Sequence, residues 1–393
     1  MSDTQKICPV IVVAAHRRVH SLRRLLSALN RAVYDSAPHL IISIDPSGAG
    51  EVEALAKAYR FDHGSVEVRI HPGRLGLKAH LLACGDLSLE YGSAIILEDD
   101  IYPAPFFYRY ACEALRYYMD DRAVAGISLY APSYNESAEL GFSPLRFEHD
   151  VYFMQLPSSW GECFTAGQWR AFRNWLDSPE AAKRVAVPWN VEGWSQRSWK
   201  KQLLRYMLAE RLFFVYPYEG LSTNFADPGT HHHRASTHLQ TPLCLREHFR
   251  FLPRAGAPVI YDAFCELLPD CFRRLAPALQ DYAFTTDLYG MKNLESVETD
   301  YLLTAKACSL AEQAFALSLK PHEMNVIAGI AGNDLRLCRK SACTPTLAWP
   351  TKDSVSYYYN IPALSMDNLY TVWKCDIPEA YFEDLLNQQK TRI

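Results

Sequence analysis

The chain has no uninterrupted apolar stretch reaching the about 20 residues that a bilayer crossing requires. Its opening, "MSDTQKICPVIVVAAHRR", lacks the layout of a secretory signal, and the apolar run there, Ile7 to Ala15, has strand length and ends in charge. The expected location is therefore the cytoplasm, with no transmembrane segment. An excess of one charge is missing too, the formal net charge being -4 over 393 residues. That excludes broad charge neutralisation of a polyanion as the working mode, and no nucleic-acid partner is expected. The eleven cysteines include no pair at CxxC spacing, the nearest being Cys338/Cys343 and Cys265/Cys271. A structural zinc site and a disulfide framework are both disfavoured, which leaves free, mostly buried thiols. No glycine-rich phosphate loop, GxGxxG fingerprint, internal repeat or low-complexity linker occurs.

What is present is the composition of an ordinary globular chain, 49% hydrophobic and 21% charged, long enough for two domains. Up to residue 129 strand and helix patterns alternate. "PVIVVAA" (9–15), "LIISID" (40–45), "SAIIL" (93–97) and "AVAGISL" (123–129) are apolar runs suited to strands covered on both faces. Val66, Val68 and Ile70 alternate as a further strand. Between them, Leu22, Leu25, Leu26, Leu29 and Val33 keep helical spacing behind a cap at Ser21. Val52, Leu55, Ala56 and Tyr59 mark a second helix, and another runs from "HPGRLGLKAH" to about Leu89. One more opens at Pro105 with Phe106, Phe107, Tyr110, Ala111, Ala114 and Leu115 inward. The expected fold class is α/β, a mostly parallel sheet flanked by helices, with its ligand site off the carboxyl ends of the strands. Arg17, Asp45 and the run Glu98-Asp99-Asp100 each follow such an end, so they are expected to share one crevice. Residues 131–245 are less regular and rich in Trp and Tyr, and beyond about residue 245 the pattern suggests a smaller α+β domain. The division expected is 1–245 for catalysis and 246–393 for an appended domain, with acceptor docking or homo-oligomer formation open to the latter.

In "AIILEDDIYPAPFF" (94–107), four apolar residues stand directly before three acids. Carboxylates so close repel one another and push at least one pKa up unless something compensates. A strand ending in two aspartates suits Mg²⁺ or Mn²⁺, which takes one or two carboxylates and fills its remaining sites with phosphate oxygens and water. The alternative is a solvated strand end, or acids favoured near a helix start.

"CPVIVVAAHRRVHSLRRLLSAL", "LIISIDPSG" and "AIILEDDIYPAPFFYRY", followed by "SSWGECFTAGQW", "VEGWSQ" and "LSTNFADPGTHHH", resemble the nucleotide-sugar domain of GT-A fold glycosyltransferases. The likeness lies nearest the N-acetylglucosaminyltransferase I type and its bacterial family 2-like relatives, and it spans roughly residues 8–235. It implies a metal-dependent, inverting glycosyltransferase moving a hexosyl or N-acetylhexosaminyl group from a UDP-sugar to a glycan or glycoconjugate acceptor, as in bacterial polysaccharide synthesis. Asp100 would coordinate Mn²⁺ or Mg²⁺ on the donor's diphosphate, while Glu98 and Asp99 would face ribose and sugar hydroxyls. Asp45 would accept from the uracil N3–H, Arg17 would lie beside the nucleotide, and Arg74 and Lys78 would contact phosphate or base. The general base would be Glu192 in "NVEGWSQ", with Glu162 in "SWGECF" as runner-up, because the pattern's aspartates are replaced here by Gly193 and Ser195. His231 or His232 would touch the diphosphate or the metal, the plain alternative being ordinary imidazoles on a polar loop. Trp160 and Trp194 are the candidate acceptor platforms, whereas Trp169 and Trp175 fall on a helical pattern and read as core. A non-catalytic carbohydrate-binding protein and a sugar-nucleotide nucleotidyltransferase are the competing readings.

Overall fold

The computed structural model describes residues 7–228 and 239–347. Two compact units divide the chain, one of residues 1–133 and 146–257, the other of 134–145 and 258–393. No helix among the described residues is long and apolar enough to cross a membrane.

The first unit is built on β1 (Val10–Ala15), β2 (His39–Ile44), β3 (Ser65–Ile70) and β4 (Ser93–Glu98). These pair in parallel in the order β3-β2-β1-β4. Between β1 and β3 lie α1 (Val19–Arg31) and α2 (Glu51–Ala58), and α3 (Leu77–Tyr91) leads into β4. A short β5 (Ile101–Pro103), α4 (Phe107–Tyr118) and β6 (Val124–Ser128) follow. Past β4 the sheet continues through β8 (Glu162–Thr165), β6, β9 (Phe213–Pro217) and β7 (Val151–Met154), of which β8 and β7 run antiparallel to their neighbours. This is the mostly parallel α/β sheet that the apolar runs predict, and β1 and β4 are buried along their lengths except for half-buried Glu98. Only β3, at the sheet edge, fails to bury its alternating residues, leaving Ile70 39% exposed.

The helices match their patterns with small displacements. Leu22, Leu25, Leu26 and Leu29 are buried, but α1 ends at Arg31 and Val33 lies outside it, its amide bonded to the Pro105 carbonyl at 2.8 Å. The helix also starts earlier than Ser21 suggests. Arg18 is the N-cap, and Ser21 sits inside the first turn with its hydroxyl donating to Asp227 at 2.7 Å. The helix opened near Pro105 begins at Phe107. On one sheet face Phe164 meets Trp169 of α5 (Ala166–Leu176); on the other, Cys163 approaches Tyr110 of α4.

Packing at Gly85 of α3 allows no side chain, since a Cβ there would stand 2.0 Å from the Trp169 ring. That ring is rigid and fully buried, its indole N–H donating to Asp86 at 2.8 Å. Gly85→Ala should therefore lower stability by about 1–3 kcal/mol, against the usual helical preference for alanine. A thermal melt checks this, and an unchanged or raised Tm would refute it.

The second unit carries a four-stranded mixed sheet of Phe284–Asp287, Tyr301–Thr304, Leu335–Arg339 and Gln313–Phe315. Lys306 donates to Asp287, at the end of the first of these strands, at 2.8 Å, both side chains being almost wholly buried. The cysteines of the described residues are free thiols and most are buried.

Candidate functional site

Strand β4 ends in two differently occupied halves of one acidic run. Parallel pairing sets Glu98 opposite Ala14, and antiparallel pairing sets Glu162 of β8 opposite Ile96 and Ser128. Residues two apart on a strand share a face, so Glu98 and Glu162 point to the same side of the sheet. Both Glu162 oxygens are buried and lack a hydrogen-bond partner among the described residues. Burial, and then the Glu98 charge, push its pKa well above the ordinary carboxyl value, with the Lys200 ammonium acting the other way. Half-buried Glu98 is pushed up to about 8 by burial and by Asp100 and Asp99, again opposed by Arg18 and Lys200. At neutral pH the pair therefore holds at least one proton.

Lys200 stands at the start of α7 (Trp199–Ala209), its ammonium 4.9 Å from the Trp160 ring and 5.3 Å from the Trp194 ring. Trp160 in turn packs edge-on against Tyr130, with ring centres 4.7 Å apart. The neighbouring Lys201 is buried and donates to the carbonyls of Glu192 and Trp194, each at 2.8 Å, which anchors Trp194. The two tryptophans selected from the sequence thus meet over a cation that pulls on both glutamates. Trp169 and Trp175 are buried core residues.

The other half, Asp99 and Asp100, turns away into a second network and is only 4% and 6% exposed. Arg18 reaches both: Nε donates to Asp99 at 2.8 Å, Nη2 to the same oxygen, and Nη1 to Asp100 at 2.7 Å. Nη1 also donates to the Asp227 carbonyl at 3.2 Å. Asp227 arrives because β10 (Ser222–Asn224) pairs antiparallel with β5, and the Phe225 amide bonds to the Asp100 carbonyl at 3.0 Å. Its carboxylate takes the Ser21 hydroxyl and the Arg24 guanidinium, and Arg24 stacks on Phe225 at 3.6 Å. Burial disfavours the Arg18 charge, but Asp99 and Asp100 outweigh it and hold its pKa above the ordinary value. Burial raises Asp99 to about 6 against the pull of Arg18.

Other expected residues fall around these networks. Asp45 is buried, and its two oxygens accept from the Leu75 and Gly76 amides at 2.7 and 3.0 Å, which pins the segment carrying exposed Arg74 and half-buried Lys78. Gly76 turns that segment with a φ of +80°, where a side chain is strained. His16 bonds to the Asp45 carbonyl at 2.6 Å, and His80, lowered to about 4 by burial and by His71, bonds to Ser43 at 2.9 Å. Exposed Arg17 lines an open cavity of about 760 Å³ together with Arg18, His20, Arg23, Glu51 and Asp227. Glu192 ends α6 (Trp189–Glu192) with its carboxylate toward solvent, 67% exposed, beside Arg184 at 3.7 Å. It is not brought to the acidic run. His231 and His232 lie outside the described residues.

A divalent ion is the ligand expected of the acidic run, and it needs several carboxylate or imidazole donors converging on one point. Among the described residues no group of three His, Cys, Asp or Glu side chains is arranged to hold a metal. The two aspartates present a guanidinium already seated between them. Such a pair does not fit a divalent cation while Arg18 is in place.

No family model matches the sequence, and no curated protein matches it. Among solved structures, the chain is similar to the mannosyltransferase PcManGT from Pyrobaculum calidifontis in complex with GDP-Man and Mn²⁺, with 12% identity, TM-score 0.30, and coverage of 44% of this chain and 48% of that one. It is similar to GalNAc-T7 with UDP, GalNAc and Mn²⁺, with 11% identity, TM-score 0.38 and coverage of 55% and 42%. It is also similar to S. aureus TarS 1–349, with 13% identity, TM-score 0.32 and coverage of 54% and 60%. The chain spans about half the length of these structures. Likenesses this slight carry no argument about activity, which has to come from the site itself.

Proposed function

We propose that the chain is a glycosyltransferase that moves a sugar from a nucleoside-diphosphate sugar to a hydroxyl of a glycan or glycoconjugate. The observation carrying this reading is the meeting, at the carboxyl end of β4, of a proton-holding carboxyl pair with a tryptophan-flanked lysine, beside an arginine-lined cavity. Each part has work to do in such a transfer. Arg17 and Arg23 offer cationic forks to a diphosphate. Trp160 and Trp194 offer flat faces to a sugar or an acceptor. Glu98, the accessible member of the carboxyl pair, takes the acceptor's hydroxyl proton as the new carbon–oxygen bond forms and the carbon–phosphate oxygen bond breaks. A carboxyl tuned toward the working pH is a more effective base than an ordinary one. Glu162, without accessible oxygens, lies on the same face of the sheet, where burial and the Glu98 charge keep its own proton affinity high. UDP as the nucleotide, inversion at the sugar carbon and bacterial polysaccharide as the product class rest on the family resemblance of the motifs alone.

Incubation of the full chain with a panel of UDP-, GDP- and dTDP-sugars tests the reading, with nucleoside diphosphate release followed by chromatography. Release from at least one donor is expected, faster with a hydroxyl acceptor present. Binding of free sugar without any nucleotide turnover would favour a carbohydrate-binding protein instead. Lys200→Met should raise KM for the sugar substrate more than it lowers kcat, because the tryptophans lose the cation that spaces them. A kinetic comparison in which kcat alone falls would contradict that role.

A further inference from the structure

The guanidinium of Arg18 occupies the acidic turn in a way that a stray surface arginine would not. Four of its five N–H groups are bonded among the described residues, three to Asp99 and Asp100 and one to the Asp227 carbonyl. Its backbone is fixed as the N-cap of α1, immediately behind β1, with φ -90° and ψ 82°. The adjoining loop is fixed to the same helix through Ser21 and Arg24, so the elements on either side of the fork are tied together. A divalent ion at these carboxylates would need their oxygens as octahedral ligands at about 2.0–2.1 Å. Arg18 takes one oxygen of each aspartate, Asp99 Oδ1 and Asp100 Oδ2, so an ion on the remaining two would stand directly against a guanidinium of like charge. That repulsion sets the two cations in competition for the turn.

We propose that Arg18 is the resident cation of the Asp99–Asp100 turn, and that the chain takes a nucleoside diphosphate without a divalent ion there. While Arg18 stays on the aspartates, the phosphates meet Arg17 and Arg23 of the adjoining cavity. Of the two carboxylates that also line it, Asp227 is neutralised by Arg24, and Glu51 is left on the opposite helix. The metal half of this statement is independent of the glycosyltransferase reading; the nucleotide half rests on it.

Calorimetry on the full chain separates the two. Wild-type protein titrated with MnCl₂ alone should show no stoichiometric binding, and its affinity for UDP or GDP should differ by less than about twofold between EDTA and Mn²⁺. Arg18→Met should open the carboxylate pair, so that Mn²⁺ binds at least about tenfold more tightly than to wild type, and Arg18→Lys should reverse most of that gain. One Mn²⁺ bound by wild type and lost in Asp100→Asn would overturn the proposal, and that titration decides even where the Arg18 variants do not fold. Should neither nucleotide bind under either condition, the glycosyltransferase reading fails, while the Mn²⁺ titration still settles which cation belongs to the turn.

Discussion

Replacing Glu162 by methionine is expected to make the chain more stable and much less active. Its carboxyl is buried with both oxygens unpartnered among the described residues, a burden worth about 1–3 kcal/mol for a polar group taken from water. Methionine fills a similar volume with no polar oxygen to satisfy, so the urea midpoint should rise. Catalysis should fall because Glu98 loses the carboxyl that faces it from the next strand and is coupled to its charge, the partner with which it holds the proton at the end of β4. Loss of a tuned general base is typically worth about 10²–10⁴ in rate, and a partner acting through it should cost a sizeable part of that range. Sites that give up stability for chemistry show this opposition of signs. A variant that is both less stable and fully active would mean that Glu162 is a structural carboxyl with a partner of its own.

The second large effect has the opposite sign. Arg18→Met should destabilise the first unit by about 3 kcal/mol, the lower end of the range for removing one member of a buried ion pair, since the Arg18 side chain is about one-fifth exposed. Most of that cost comes from leaving Asp99 and Asp100 as adjacent uncompensated carboxylates. Asp99→Asn in the same molecule should therefore recover a good part of the loss, which a double-mutant cycle by denaturant unfolding measures. Additive losses in the double variant would show that Arg18 acts through packing and not through its charge.

The framework of the first unit was legible in the sequence because apolar runs of strand length and leucines at helical spacing are local signals. β1, β2, β4 and β6 lie where those runs stand, and so do the helices on Leu22–Leu29 and on Phe107–Leu115. The acidic run and Asp45 were legible as strand-end residues for the same reason. What the sequence could not show depends on contacts between distant segments. Arg17 and Arg18 are adjacent, and only the turn from β1 into α1 decides that Arg18 faces the aspartates while Arg17 faces the cavity. Ser21 has the composition of a cap, yet Asp227, more than two hundred residues away, claims its hydroxyl. Glu192 sits beside a tryptophan as the family pattern suggests, but α6 turns it outward and presents Trp194 instead. The one available signal for Lys200 was the pair in "SWKKQ", directly after two tryptophan-bearing segments.

In the proposed reaction, proton transfer at the end of β4 belongs to the Glu98–Glu162 pair. Single-turnover sugar transfer by Glu98→Gln and by Glu192→Gln, measured side by side with wild type, tests it most directly. Loss of about 10²–10⁴ for Glu98→Gln with less than about twofold change for Glu192→Gln is the predicted result. Near-normal turnover by Glu98→Gln, with the loss appearing at Glu192, would contradict the account.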